Sequence, residues 1–283
     1  MDFPPNPKDK PGYVLEFFDE FEDNHLDTTK WSPYLLPHWS SLERSAARLE
    51  VGDGSLKLRI EEDQTPWVDG GERASNLQTV HFSGAKGSRI GQFRHYNPEF
   101  VVTQDLPPVR HYTPLFGLFE TRLKAVPVVG YHVALWMIGF DEPNAGEIRV
   151  FEIHGGNIGV ERSRVDYGIL TWDDPKLREE LYEDYLLINA AEYNIYAVEW
   201  TPTHVDFYVN NTKLRTVQQS PQYPMPFMLG IYERPHEVRE EDRHIPFPRV
   251  CEVDYFRAYR PLGGYRASAK HRMTQNSFRR AYA

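Results

Sequence analysis

The sequence predicts an all-β protein, a sandwich of short antiparallel strands. Three observations lead there. Apolar and polar residues alternate with period two in many short runs, the pattern of a strand with one buried face. The 22 Pro and 19 Gly suit many turns better than long helices. Turn signals recur at spacings suited to a sandwich. The chain has 283 residues, 40% of them hydrophobic and 14% aromatic, enough for a sizeable core. Such a sandwich can occupy the whole length as one unit.

Along the chain, Ser55–Ile60, Gly117–Ala125, Tyr196–Trp200, His204–Val209 and Val253–Tyr259 each alternate. Val209–Thr216 reads as a hairpin, with Asn210 and Asn211 able to take positive φ. One short helix is expected from Asp174-Pro175, with Leu177, Leu181 and Tyr185 along a stripe. Residues 1–12 read as a loose arm, 13–261 as a single domain and 262–283 as a basic tail holding Arg266, Lys270, Arg272, Arg279 and Arg280.

Composition excludes several classes. A formal net charge of −9 argues against a nucleic-acid binder. No apolar run is long enough to cross a membrane as a helix. Cys251 stands alone, so no internal disulfide is expected. No zinc spacing, phosphate-binding loop, dinucleotide glycine pattern or nucleophile elbow is found. The N-terminal residues lack the apolar stretch of a signal peptide, which predicts a cytoplasmic protein as written, or an extracellular one if a leader has been omitted. Oligomeric state is open.

The segment that carries chemistry is Gly146–His154, with Glu147 and Glu152 five residues apart. On a regular strand that spacing puts them on opposite faces. One β-bulge absorbs a residue and returns both to one face. Side chains leaning together then approach to about 5 Å, the carboxylate separation of a retaining glycosidase. Taken alone, two Glu five apart also fit a solvated acidic edge.

The surrounding segments decide between these. Glu147-Ile-Arg-Val-Phe-Glu152 resembles the E-x-D-x-x-E strand of glycoside hydrolase family 16, the laminarinases, lichenases and agarases, with Arg149 at the place of the Asp. Phe17–Phe21, Leu26–Trp31, Phe116–Lys124, Ala134–Ile138, Tyr196–Pro202, Pro226–Gly230 and Val253–Arg257 resemble family segments in the same order. The resemblance implies a concanavalin A-like β-sandwich jelly roll whose two curved sheets leave a concave cleft. It implies a retaining endo-type hydrolase of a β-linked polysaccharide, by default a β-1,3- or mixed-linkage glucan. Glu147 would be the nucleophile and Glu152 the general acid/base.

Two departures bear on the chemistry. Arg149 is a permanent cation, which favours the ionised form of both carboxyls. That suits Glu147 and opposes Glu152. The His that many relatives carry on the next strand is absent, Leu170 falling at its place, and His154 is the residue able to stand in. Because fold does not fix function, a repurposed sandwich stays open: a non-catalytic carbohydrate-binding protein, or an intracellular enzyme on a different small molecule.

Sugar rings pack their C–H faces on aromatic side chains. Trp136, Trp172, Tyr167, Trp39, Tyr112 and Trp200 are the candidate platforms, Trp136 first. No cofactor is expected for catalysis. By resemblance a structural calcium would use the Asp254 side chain and the backbone oxygens of Glu16 and Gly54, oxygen donors suited to a hard cation. The expected partner is a poly- or oligosaccharide. The loops near 34–44, 92–114 and 234–249 are long enough to close part of the groove.

Overall fold

The computed structural model describes residues 1–94, 97–139, 145–242 and 244–265. Its strands in chain order are β1 (Tyr13–Asp19), β2 (Arg48–Gly52), β3 (Ser55–Ile60), β4 (Ala74–Gln78), β5 (Val80–His81), β6 (Val109–Arg110), β7 (Gly117–Lys124) and β8 (Tyr131–Ile138). They continue as β9 (Glu147–His154), β10 (Ser163–Leu170), β11 (Glu180–Leu186), β12 (Asn194–Trp200), β13 (Val205–Val209), β14 (Thr212–Val217), β15 (Phe227–Glu233) and β16 (Arg249–Pro261).

Two antiparallel sheets face each other. One runs β14-β13-β12-β7-β16-β3-β2, with β1 also pairing β16, and the other runs β11-β10-β9-β8-β15-β4. The interface between them is aromatic. Phe227 of β15 meets Phe119 of β7 and Phe256 of β16 edge-on, each at 4.9 Å, and Phe256 meets Trp31 at 5.3 Å. Each buried ring of this kind contributes about 1.5–3 kcal/mol. The Trp31 indole Nε1 donates to Asp19 Oδ2 at 3.0 Å, so its polar edge is satisfied inside the core. This is the predicted jelly-roll sandwich.

The strands read from alternation all form. In the β13–β14 hairpin Asn210 and Asn211 take φ of 49° and 64°, as that turn requires. Two local expectations are corrected. The expected helix after Asp174 is instead a turn followed by β11, which pairs with β10 from Ile169↔Glu180 to Ser163↔Leu186. The alternation from Leu181 to Tyr185 satisfies a strand as well as a helical stripe, and an open edge of β10 offered a partner. The N-terminal arm is docked rather than loose: Phe3 N donates to Tyr193 O at 2.7 Å and Arg257 Nη1 donates to Asn6 O at 2.8 Å. The basic residues expected in the tail, Arg266 to Arg280, lie outside the described residues. Among the described residues no helix is long and apolar enough to cross a membrane.

Candidate active site

The site is built on β9. Ile148, Val150, Phe151 and Ile153 all enter the core between the sheets. Two consecutive core residues, Val150 and Phe151, break the alternation. The register to both neighbours slips there: Leu135↔Phe151 is followed by Trp136↔Arg149, and Asp166↔Glu152 by Gly168↔Arg149. The slip is the expected β-bulge. It leaves Glu147, Arg149, Glu152 and His154 together on the outer face.

Neighbouring strands complete the face. Directly opposite on β8 are Ile138, Trp136, Ala134 and His132. On β10, Leu170 stands opposite Glu147, and Gly168 opposite Arg149. Gly168 has φ of 141°, and a Cβ there would lie 2.1 Å from the Glu180 carbonyl oxygen, so only glycine lets β11 approach so closely.

Arg149 spans the two carboxyls. Its Nη1 lies 2.8 Å from Glu152 Oε2 and its Nε 3.6 Å from Glu147 Oε1. Trp172 Nε1 donates to Glu147 Oε2 at 2.9 Å. Glu152 Oε1 has three further neighbours: His154 Nε2 at 3.0 Å, His132 Nε2 at 3.7 Å and Arg234 Nη1 at 3.8 Å.

These surroundings separate the two acids. Burial pushes Glu147 up to about 7, against the pull of Arg149 and the Trp172 hydrogen bond. Burial would also raise Glu152, but the hydrogen bond from His154 and the permanent charge of Arg149 are among the contacts that outweigh it and bring it down to about 2. His132 is itself held down at about 3, chiefly by burial. The expectation for Glu152 therefore stands. The expectation that Arg149 would dominate at Glu147 is corrected, because desolvation is larger there.

Two cavities meet at Glu152. One, of about 430 Å³, has walls from Trp67, Trp136, Trp172, Phe93 and Tyr232. The other, of about 630 Å³, is lined by charged groups including Arg164, Asp166, Glu183 and Arg239. Arg149, Glu152 and Arg234 border both. Leu35, Phe93 and His236 come from the three loops expected to narrow the groove.

The remaining platforms separate. Trp136 is half-buried in the cleft wall, its Nε1 donating to the Tyr232 hydroxyl at 3.2 Å. Trp172 stands partly exposed beside Glu147. Four candidates are corrected: they lie away from the cleft, three as core residues and Tyr112 half-buried against the core. Tyr167 points between the sheets toward Phe207, Tyr112 stacks on Phe17 at 4.6 Å, and Trp200 is fully buried in the opposite sheet. Trp39 is buried behind the cleft wall, with its Nε1 donating to Gln92 O at 2.8 Å.

Sequence reasoning missed His132 and Glu72. His132 shares the parity of Trp136 on β8, a signal that was present. Glu72 lies in a loop and lines the aromatic cavity, where burial pushes its carboxyl up to about 7.

The residues expected at a calcium do not fit one. Arg122 Nη1 holds Asp254 Oδ2 at 2.7 Å, placing a guanidinium where the cation would sit. Glu16 lies at the bulge opposite Ala258 and Tyr259, about 13 Å along β16 from Asp254 at ~3.3 Å per residue. Its side chain is taken by the Tyr112 hydroxyl at 2.8 Å and Arg260 Nε at 3.2 Å. Gly54 lies in the turn between β2 and β3.

Comparisons with known proteins agree with this architecture. Residues 110–244 match the family model for glycosyl hydrolases family 16. The structure is similar to a GlcNAcα1-4Gal-releasing endo-β-galactosidase from Clostridium perfringens, with a TM-score of 0.79 and 31% identity over 95% of this chain and 67% of that one. It also shares its fold with the laminarinase catalytic domain of Thermotoga maritima, at a TM-score of 0.61 and 17% identity, over 87% of this chain and 98% of that one. A keratan-sulfate endo-1,4-β-galactosidase of Sphingobacterium multivorum is 26% identical over 88% of this chain, and a glucan endo-1,3-β-glucosidase A1 of Niallia circulans is 24% identical over 88%. This chain spans 55% and 38% of those two proteins. With the bulged acidic strand in place and a 31% identical relative aligned along nearly the whole chain, the protein belongs to glycosyl hydrolases family 16.

Proposed function

We propose that the chain is a retaining endo-β-glycosidase that cleaves a β-galactosidic linkage inside a glycan, with Glu147 as nucleophile and Glu152 as general acid/base. The bulge at Val150–Phe151 carries this reading, because it alone brings both carboxyls to one face of the cleft. Glu147 attacks the anomeric carbon, Glu152 protonates the departing oxygen, and Glu152 then takes a proton from the water that frees the product. Two cavities that join at Glu152, one holding both acids and the other running past His154, favour a chain lying across the site over a chain end.

In the free protein burial favours the proton on Glu147, whereas attack needs it on Glu152. Arg149 touches both carboxyls and is charged in either arrangement, so it offsets whichever one is ionised. A leaving-group oxygen that displaces His154 from Glu152 Oε1 removes one of the contacts that keep that carboxyl ionised.

Galactosides replace the glucan default because the 31% and 26% identical relatives are named as endo-β-galactosidases. A β-1,3-glucan is the second reading, favoured by the name of the 24% identical relative. The experiment is incubation with keratan sulfate, desulfated keratan and laminarin, measuring new reducing ends and chain length. Internal cleavage of the keratans, lost in Glu147→Gln, is expected. Binding with no reducing ends from any polymer would leave a carbohydrate-binding protein and end the hydrolase reading.

A further inference from the structure

We propose that His132, His154 and Glu152 form a binding site for a divalent transition metal of the zinc type, set into the wall of the cleft. One ring nitrogen of each histidine and a Glu152 oxygen all lie within 4.8 Å of one another. Glu152 Oε1 is the common atom, 3.0 Å from His154 Nε2 and 3.7 Å from His132 Nε2. Zinc bonds of about 2.0–2.2 Å place tetrahedral ligand atoms roughly 3.3 Å apart, so these spacings need only small adjustments.

The donors are held in place before any ion arrives. His132 and His154 are directly opposed in the β8–β9 register. Their rings stack at 5.3 Å, and Tyr232 covers the other face of His132 at 5.0 Å. Arg149 Nη1 holds Oε2 of Glu152 at 2.8 Å, which leaves Oε1 for the metal and fixes the carboxylate from behind. An outer partner of this kind orients a ligand. Ala134 stands opposite Glu152 on β8, so no bulky side chain fills the space before the carboxylate.

Two cations compete. Arg149 engages the other oxygen and stays. Arg234 approaches Oε1 to 3.8 Å, but it follows the end of β15 and pairs with Glu237 at 2.7 Å, so it can withdraw without losing that partner. Two imidazoles and one carboxylate suit zinc, copper or nickel and not calcium or magnesium, and three protein ligands leave a coordination position open to the cleft. A metal on Oε1 occupies the atom that must exchange a proton with the glycosidic oxygen. Inhibition of hydrolysis is the result, and this consequence alone rests on the proposed role of Glu152.

The test is calorimetric titration of the full chain with ZnCl₂, with CaCl₂ and MgCl₂ as controls. One zinc per chain is expected, with no calcium or magnesium binding. His132→Asn and His154→Asn should each weaken zinc by about tenfold or more while melting like the parent chain. Should either variant fail to fold, zinc on the parent chain should protect His154 from diethyl pyrocarbonate, read by peptide mass. Absence of zinc binding up to the millimolar range, or zinc binding without protection of His154, would overturn the site. Zinc that binds here without slowing hydrolysis would support the site and count against Glu152 as the proton donor.

Discussion

Glu147 and Glu152 share one face of β9 because Val150 and Phe151, between them, both point into the core. Arg149 lies on the same face and touches both carboxyls. The acids are thus held apart in charge state although they are alike in chemistry, one buried beside an indole N–H and the other crowded by imidazoles and guanidinium groups. Burial favours the proton on Glu147, and the contacts of Glu152 favour its ionised form.

The pair holds that proton between about pH 2 and about pH 7, the levels of Glu152 and Glu147. Acid–base catalysis needs it, whichever carboxyl carries it at rest. Above about pH 7 it is lost, so kcat/KM should fall about tenfold per pH unit. Glu72 also sits near 7 in the same cleft. The alkaline limb should therefore survive in Glu72→Gln, and its disappearance there would assign the limb to the wrong acid.

Arg149 pulls Glu147 down against burial. Removing the guanidinium in Arg149→Gln should raise Glu147 further and move the alkaline limb of kcat/KM upward, on the order of one pH unit. A pH–rate series on the two proteins decides this. An unmoved limb would show that Arg149 does not govern the charge state of the pair.

Glu147 also costs stability. A carboxyl raised from its ordinary value to about 7 resists ionisation in the folded state, so folding loses stability as pH rises from about 4.5 to 7, and the loss is complete above that. Glu147→Gln removes the group. It should be inactive yet melt higher than the parent chain at pH 8, by an amount on the order of 1–3 kcal/mol. The difference should shrink toward pH 5. Equal gains at both pH values would mean that packing, not charge, explains the change.

With Asp254 held by Arg122, excess calcium should leave the melting temperature unchanged. A ligand that binds the folded state at 100 times its Kd adds about 2.7 kcal/mol, which a thermal melt resolves easily. A rise in melting temperature with calcium, absent in Asp254→Asn, would restore the calcium site.

Much of the architecture was legible in the sequence. Alternation marked Ser55–Ile60, Tyr196–Trp200 and Val253–Tyr259 because each has one face in the core, and the spacing of Glu147 and Glu152 required a bulge that the structure contains. The errors have physical causes. Leu181 to Tyr185 fits either period, and only the edge of β10 selects a strand. Tyr167 keeps the regular alternation of β10 with Val165 and Ile169, so its side chain enters the core while Asp166 and Gly168 face the cleft side; the bulge belongs to β9. Trp39, Tyr112 and Trp200 carry the composition of sugar platforms, but their surroundings come from distant segments that no local pattern reveals. Glu72 reaches the cleft only through the path of its loop.

The proposed chemistry stands or falls on Glu147 forming the covalent bond to the sugar. A 2-fluoro glycoside of whichever polymer the protein cleaves traps that bond, and peptide mass spectrometry locates it. One glycosyl adduct is expected, on Glu147, together with release of product as the β-anomer first. An adduct on Glu152, or initial release of the α-anomer, would contradict a nucleophilic Glu147.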